Sequence, residues 1–252
     1  MKEQKKYAIS VIAGLLTIIV SSIILFSSGS YAVYTADIAK RKLPVYGVGR
    51  DDGALSISFD CAWGTDYTDK ILDTLDFYNV KATFFVVQFW AEKYPDYLKK
   101  IVGRGHEVGT HSKTHPKMSK LSAEEIEEEL KSSVAAIENV TGQKVKLFRP
   151  PFGDYDGKVI TAAENLGLYT IQWNVDSLDW KNLSAEQIAA RVIKKAGSGS
   201  IILMHNNGLH TAESLPLIFT ATQQKGLVYR PISELIYTDD FRITPDGTQI
   251  KN

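Results

Sequence analysis

Cysteine is almost absent from this chain: of 252 residues only one, Cys61, carries a thiol. An intrachain disulfide is therefore excluded, and the fold cannot depend on one. An excess of charge is lacking as well, with 29 Lys plus Arg against 29 Asp plus Glu. That balance argues against a nucleic-acid partner, because such binders usually carry a basic surplus. It is compatible with an uncharged ligand such as a glycan, without predicting one. No internal repeat and no low-complexity tract is present. A phosphate-binding glycine loop is missing too: Gly103-Arg-Gly105 closes a helical pattern and precedes a strand, the reverse of the dinucleotide fingerprint. Hydrophobic residues (44 %) and charged residues (23 %) stand in ordinary globular proportions.

Long apolar runs are absent after the first 30 residues, but those residues hold one. Lys2, Lys5 and Lys6 precede an uncharged stretch of 20 residues from Tyr7 to Phe26. At ~1.5 Å per residue it spans roughly 30 Å, the thickness of a bilayer core. It is longer than the usual ~7–15 residue signal-peptide core, so an uncleaved signal anchor, a single transmembrane helix, is expected. A cleavable signal peptide is the alternative, since Ser30-Tyr31-Ala32 resembles a small-residue cleavage site. The N-terminal lysines favour a cytoplasmic start, although Lys40, Arg41 and Lys42 lie just beyond the run. The expected organisation is a cytoplasmic stub and anchor over 1–32, a linker over 33–50, one extracytoplasmic domain over 51–238, and a polar tail over 239–252.

Within that domain the patterns alternate. Strand-like runs at 54–60, 81–87, 106–109, 146–149, 169–174 and 200–205 are separated by helical periodicity at 68–78, 91–104, 122–140, 158–166 and 184–196, with a last helix at 211–225. Ser122 with Glu125, and Ser184 with Gln187, read as capping boxes. Alternation of this kind implies βα units on a largely parallel sheet. Six or seven units are too few for an eight-fold barrel. An open doubly wound sheet and an incomplete barrel both remain.

Reactive side chains gather at the C-terminal ends of these strands: Asp60, His111, His115, Arg149, Asp176, Asp179 and His205. In a parallel α/β fold those ends share the face where sites form. His111 and His115 are spaced i, i+4 and could share a metal, but two surface histidines would look the same. Arg149-Pro-Pro-Phe-Gly153 is a rigid turn able to aim backbone N–H groups at an oxygen, or an ordinary tight loop. Asp176-Ser-Leu-Asp179-Trp180 offers two carboxylates and an aromatic platform, or a solvated loop. The acidic run Glu124 to Glu129 reads as a solvated helix face, and His106 and His210 as structural or surface residues.

Taken in order, Ser58-Phe-Asp-Cys61, His111-Ser-Lys-Thr-His115, Arg149-Pro-Pro-Phe-Gly153, Asp176-Ser-Leu-Asp179-Trp180 and Leu203-Met-His205 resemble the five motifs of the polysaccharide deacetylases, the NodB-homology fold of carbohydrate esterase family 4. The F-D-x-x-W-G form of the first motif, Phe59 to Gly64, and the membrane segment resemble the branch found in spore-forming bacteria. The resemblance implies an incomplete (β/α) barrel of about seven strands and hydrolysis of N-acetyl groups on a cell-wall polysaccharide such as peptidoglycan. It implies Asp60 as general base, Arg149 as the group holding it ionised, and His205 as general acid with its pKa raised by Asp179. It implies an oxyanion donor at the Phe152 N–H, a pocket walled by Trp180 and Leu203, and a divalent metal, zinc foremost, on His111 and His115. The family's second aspartate is Cys61 here. A thiolate can ligate zinc, so Cys61 is the expected third ligand, against the alternative of a small buried hydrophobe. If Cys61 does not ligate, a catalytically silent glycan-binding or sporulation protein becomes the competing expectation. An O-acetyl esterase is the third.

Overall fold

The computed structural model describes residues 42–252. The expected anchor, and the expected linker up to Arg41, lie outside the described residues. Among the described residues no helix is long and apolar enough to cross a membrane.

The strands are β1 (Gly47–Val48), β2 (Ala54–Cys61), β3 (Thr83–Val86), β4 (Glu107–Thr110), β5 (Leu147–Phe148), β6 (Tyr169–Thr170), β7 (Val175–Asp176), β8 (Ile201–His205), β9 (Val228–Tyr229), β10 (Phe241–Ile243) and β11 (Thr248–Lys251). Seven of them form one path in the order β6-β5-β4-β3-β2-β8-β7, and every pairing along it is parallel. β9 adds to the lower end of β2. The sheet curls into a half-barrel, which settles the choice between open sheet and incomplete barrel.

The expected strand at 169–174 is strand only over 169–170, as β6, and β7 follows at 175–176 on the opposite edge of the sheet. Five Cα steps from Thr170 to Val175 reach at most about 18 Å, so the two edges face each other closely. The gap is lined by chain that was expected to be linker. Val45 donates to the Thr170 carbonyl and accepts from the Gln172 N–H, and Val48 donates to the Gly199 carbonyl. Both valines are buried. Their apolar side chains belong to the inner core with Phe85, Ile171 and Ile201, which is why this segment docks rather than hangs free. Gly199 is needed at the seam: a Cβ there would stand 1.7 Å from the Val48 oxygen.

The expected C-terminal tail is also structured. β10 and β11 pair antiparallel, and β11 pairs with β1. Its polar composition hid the anchor: the Gln249 side chain is buried and exchanges two 2.8 Å hydrogen bonds with the Tyr237 backbone. The expected helix 91–104 is two, Gln88–Lys93 and Pro95–Gly103. Pro95 has no N–H and disfavours helical geometry in the residue before it, and Tyr94 breaks at φ −129°, ψ 53°. Both capping boxes form as read, at Ser122–Glu125 and Ser184–Gln187.

Along β2 the side chains alternate. Leu55, Ile57, Phe59 and Cys61 enter the hydrophobic layer shared with the helices. Ser56, Ser58 and Asp60 take the other face, inside the half-barrel. Small polar side chains there leave room for Arg149.

Candidate active site

Parallel register sets Asp60 of β2 directly beside His205 of β8. Arg149, just beyond β5, reaches into the half-barrel and is fully buried. Its Nη1 donates to Asp60 Oδ1 at 2.8 Å, and its Nη2 donates to the Gln172 carbonyl at 3.2 Å. The guanidinium lies over the Phe85 ring, 4.1 Å from its centroid. Burial pushes the Asp60 carboxyl up, but Arg149 and the nearby His111 and His205 outweigh it and hold the carboxyl below its ordinary range. Asp60 is thus an ionised, oriented carboxylate.

His111 and His115 are brought together, with ring centroids 4.9 Å apart. His111 Nδ1 bonds the Arg149 carbonyl at 2.7 Å and must be the donor. This fixes the tautomer and leaves the Nε2 lone pair facing Asp60 Oδ2 at 3.5 Å. Burial lowers the pKa of both histidines, that of His115 to about 4 with help from His111, so both rings are neutral near pH 7. The pair sits on a tight loop rather than a regular helix, with left-handed φ of 71° at Ser112 and 60° at His115. Glu129, in the Ala123–Thr141 helix, holds that loop. Its carboxylate accepts from the Lys113 N–H and the Thr114 N–H, each at 2.8 Å, and from the Thr114 hydroxyl at 2.6 Å. Glu129 is buried, which corrects the expectation that the whole acidic run is a solvated face.

Asp179 is fully buried against His205. Its carboxylate accepts from His205 Nδ1 at 2.7 Å, the His205 N–H at 2.8 Å and the Thr211 hydroxyl at 2.6 Å. Burial lowers the His205 pKa, but the bond and charge of Asp179 more than reverse this, and the net shift is upward. The Asp179 carboxylate fixes Nδ1 as the protonated nitrogen, so Nε2 is the position that exchanges a proton.

Phe152 has φ 59° and is 64 % exposed, with its ring 4.5 Å from that of His115. A positive φ at a bulky residue persists only where the surroundings impose it; here Pro150 and Pro151 precede it, and the Gly153 carbonyl accepts from Gln172 Nε2. Trp180 is exposed beside this face and Leu203 is buried in β8. Sequence reasoning missed Glu129, Thr211 and Asn206. Asn206 Nδ2 and the buried Trp90 Nε1 both donate to the Gly64 carbonyl, at 2.9 and 2.8 Å. Asn206 also donates its backbone N–H to the Asp60 carbonyl. Only Asn206, adjacent to His205, carried a positional hint.

Cys61 does not join the histidines. It is fully buried in the hydrophobic layer, with its thiol 3.8 Å from the Phe59 carbonyl, on the face opposite Asp60. Burial, with the adjacent Asp60 charge, pushes its pKa well above the ordinary thiol value. A thiol turned into the hydrophobic layer, on the face away from the histidines, is not placed to be a ligand, which corrects the three-ligand expectation. Among the described residues no group of three or more His, Cys, Asp or Glu is arranged to hold a metal. The two neutral imidazoles beside the Asp60 carboxylate still suit a divalent cation, with His111 and His115 as its protein nitrogens.

Residues 47–171 match the family model for polysaccharide deacetylase. The chain is 37 % identical over 193 residues to the uncharacterized protein YlxY of Bacillus subtilis, covering 77 % of this chain and 60 % of that one. It is 34 % identical over 194 residues to the peptidoglycan-N-acetylglucosamine deacetylase PgdA of Listeria monocytogenes, again 77 % of this chain but 41 % of that one. The chain therefore spans less than two thirds of either relative. Among solved structures, wild-type BA3943 of Bacillus anthracis, described as a pseudoenzyme of carbohydrate esterase family 4, superposes with a TM-score of 0.74 at 34 % identity, over 81 % of this chain and 69 % of that one. A mutant of BA3943 is described as having restored enzymatic activity. With its curled seven-strand parallel sheet and these matches, the chain belongs to the polysaccharide deacetylase family, carbohydrate esterase family 4.

Proposed function

We propose that this protein removes N-acetyl groups from a cell-wall polysaccharide, peptidoglycan foremost. One observation carries the proposal: two separately buttressed pairs, Asp60 with Arg149 and His205 with Asp179, stand on neighbouring strands in opposite protonation bias. A pure binding site has no need of a matched base and acid. Asp60, held ionised, accepts a proton from a water molecule as that water adds to the acetamide carbonyl. The developing oxyanion is met by the Phe152 N–H. His205, whose pKa is raised, gives its Nε2 proton to the nitrogen as the carbon–nitrogen bond breaks, leaving acetate and a free amine. Trp180 and Leu203 enclose the acetyl methyl group. A divalent ion on His111 and His115, zinc by its affinity for imidazole, supplies charge stabilisation at the carbonyl oxygen when bound.

The similarity to PgdA supports peptidoglycan as substrate. The Tyr7–Phe26 run supports a membrane anchor with the domain outside, next to the wall. The form of the first motif supports a place in sporulation.

A second function, glycan binding without catalysis, is favoured by one observation: the Cys61 thiol is turned into the core, leaving two protein nitrogens for a metal. The test is acetate released from purified peptidoglycan by the zinc-loaded protein, with Asp60→Asn as control. Release that depends on Asp60 supports the deacetylase. No release above the control, from folded and zinc-loaded protein, favours the silent binder. Greater release from O-acetylated than from N-acetylated glycan would instead make the protein an esterase.

A further inference from the structure

Single exposed hydrophobic side chains are ordinary, but several gathered on one face mark a binding surface. Among the described residues eight such side chains are exposed, and five of them, Trp63, Phe89, Phe152, Trp180 and Leu209, follow the C-terminal ends of β2, β3, β5, β7 and β8. They therefore rim the face that carries Asp60 and His205. The mechanism gives work to Phe152 and Trp180, but none to Trp63.

Trp63 is 56 % exposed, and its ring meets that of His115 edge-to-face with centroids 5.1 Å apart. His115 touches Phe152 in the same way at 4.5 Å. The rings of Trp63 and Phe152 thus lie within about 10 Å of each other, the scale of a disaccharide. The loop under Trp63 is built. Gly64 turns with φ 60°, and its carbonyl accepts from two buried donors, Trp90 Nε1 and Asn206 Nδ2. The same Asn206 ties this loop to the Asp60 carbonyl through its backbone N–H. A loop whose backbone is fixed before its ligand arrives loses little entropy on binding.

We infer that Trp63 is a stacking platform for a neighbouring sugar of an uncharged N-acetylated glycan chain, so that the site grips a polymer rather than a single acetylated sugar. A pyranose ring presents an apolar C–H face that suits an indole, and the indole needs no charge on its partner. Trp63 is a binding residue, not a catalytic one. The inference rests on the glycan assignment made above, but not on turnover.

The experiment uses the full 252-residue chain carrying Asp60→Asn, which removes turnover. Binding of the β-1,4-linked tetramer of N-acetylglucosamine, and of the single sugar as its methyl glycoside, is followed by NMR titration. Trp63→Ala should weaken the tetramer about tenfold or more and leave the single sugar unchanged, while Trp63→Phe keeps most of the tetramer affinity. Unchanged thermal unfolding of Trp63→Ala excludes a folding defect. Tetramer affinity within twofold of the Trp63 protein overturns the inference. So does an equal loss for tetramer and single sugar, or no tetramer binding at all before Trp63 is changed. Chain-length-dependent loss in a protein that never releases acetate would sink the deacetylase proposal and keep this one.

Discussion

Replacing Glu129 by alanine tests whether a buried helix carboxylate shapes the histidine loop. In the native protein one carboxylate satisfies two backbone N–H groups, of Lys113 and Thr114, and the Thr114 hydroxyl. Both N–H groups are part-buried and bond to a charged group, and such a bond contributes ~1.5–3 kcal/mol. The loop also keeps two non-glycine residues at positive φ, Ser112 and His115, which relax once the restraint is gone. Two such bonds, taken at the low end because water can reach the freed N–H groups, give a loss of about 3 kcal/mol for Glu129→Ala. Glu129→Gln retains one oxygen for the two N–H groups and loses the charge, which gives about 1–2 kcal/mol. For a domain of this size about 3 kcal/mol lowers Tm by roughly 6–12 °C. Glu127→Ala, in an exposed ion pair with Lys131 on the same helix, is the control and should cost less than about 0.5 kcal/mol. Thermal unfolding and urea titration give the stabilities, and acetate release gives the effect on the site. If Glu129→Ala unfolds within about 2 °C of the unsubstituted protein, the carboxylate does not hold the loop. If it destabilises but acetate release per folded molecule is unchanged, the loop's shape does not matter to His111 and His115.

Cys61→Ala should leave zinc affinity within twofold by calorimetric titration, because the thiol lies in the hydrophobic layer on the face away from Asp60; a tenfold loss would restore Cys61 as a ligand. His106 gives a pH prediction. It is buried and its pKa is lowered from 6.5 to about 4, by burial first and then by Lys81. The unfolded chain therefore binds the extra proton between these values, and stability is full above pH 6.5 and falls as the pH drops towards 4. The largest loss is about 3 kcal/mol. Urea titrations of His106→Gln against the unsubstituted protein from pH 7 to pH 4 should show a flatter profile for the variant; since His115 contributes the same sign in both proteins, only the difference between the profiles belongs to His106. Parallel profiles would show that His106 titrates alike in both states.

What could be read from the chain, and what could not, divides along the distance between partners. Asp60, His111, Arg149, Asp179 and His205 were legible because each lies at or just beyond the C-terminal end of a strand, and parallel strands put those ends on one face. The clamps behind them were not. Glu129 sits in a run of glutamates whose neighbours are solvated, and nothing local separates the one that meets a loop 15 residues back. Trp90 and Asn206 meet at the Gly64 carbonyl from positions 116 residues apart, a convergence fixed only by the fold. The docking of Val45 and the hairpin after Thr238 were hidden for a similar reason: a polar or short segment is structured by the sheet edge it finds, not by its own pattern.

Cys61 is the exception, because its placement follows from a local rule. Strand side chains alternate, so the residue after an inward Asp60 points outward for as long as the strand continues. It does continue: Cys61 pairs with Val86, and its carbonyl accepts from the Val87 N–H. The ladder therefore runs one residue past the base and fixes the side chain at 61 among Phe59, Ile57 and the helices. A thiol is stable there, whereas an ionised carboxylate would be buried without a partner. The continuation of β2 past Asp60 thus turns position 61 away from His111 and His115, so that a metal on those two histidines gains no third protein ligand from it.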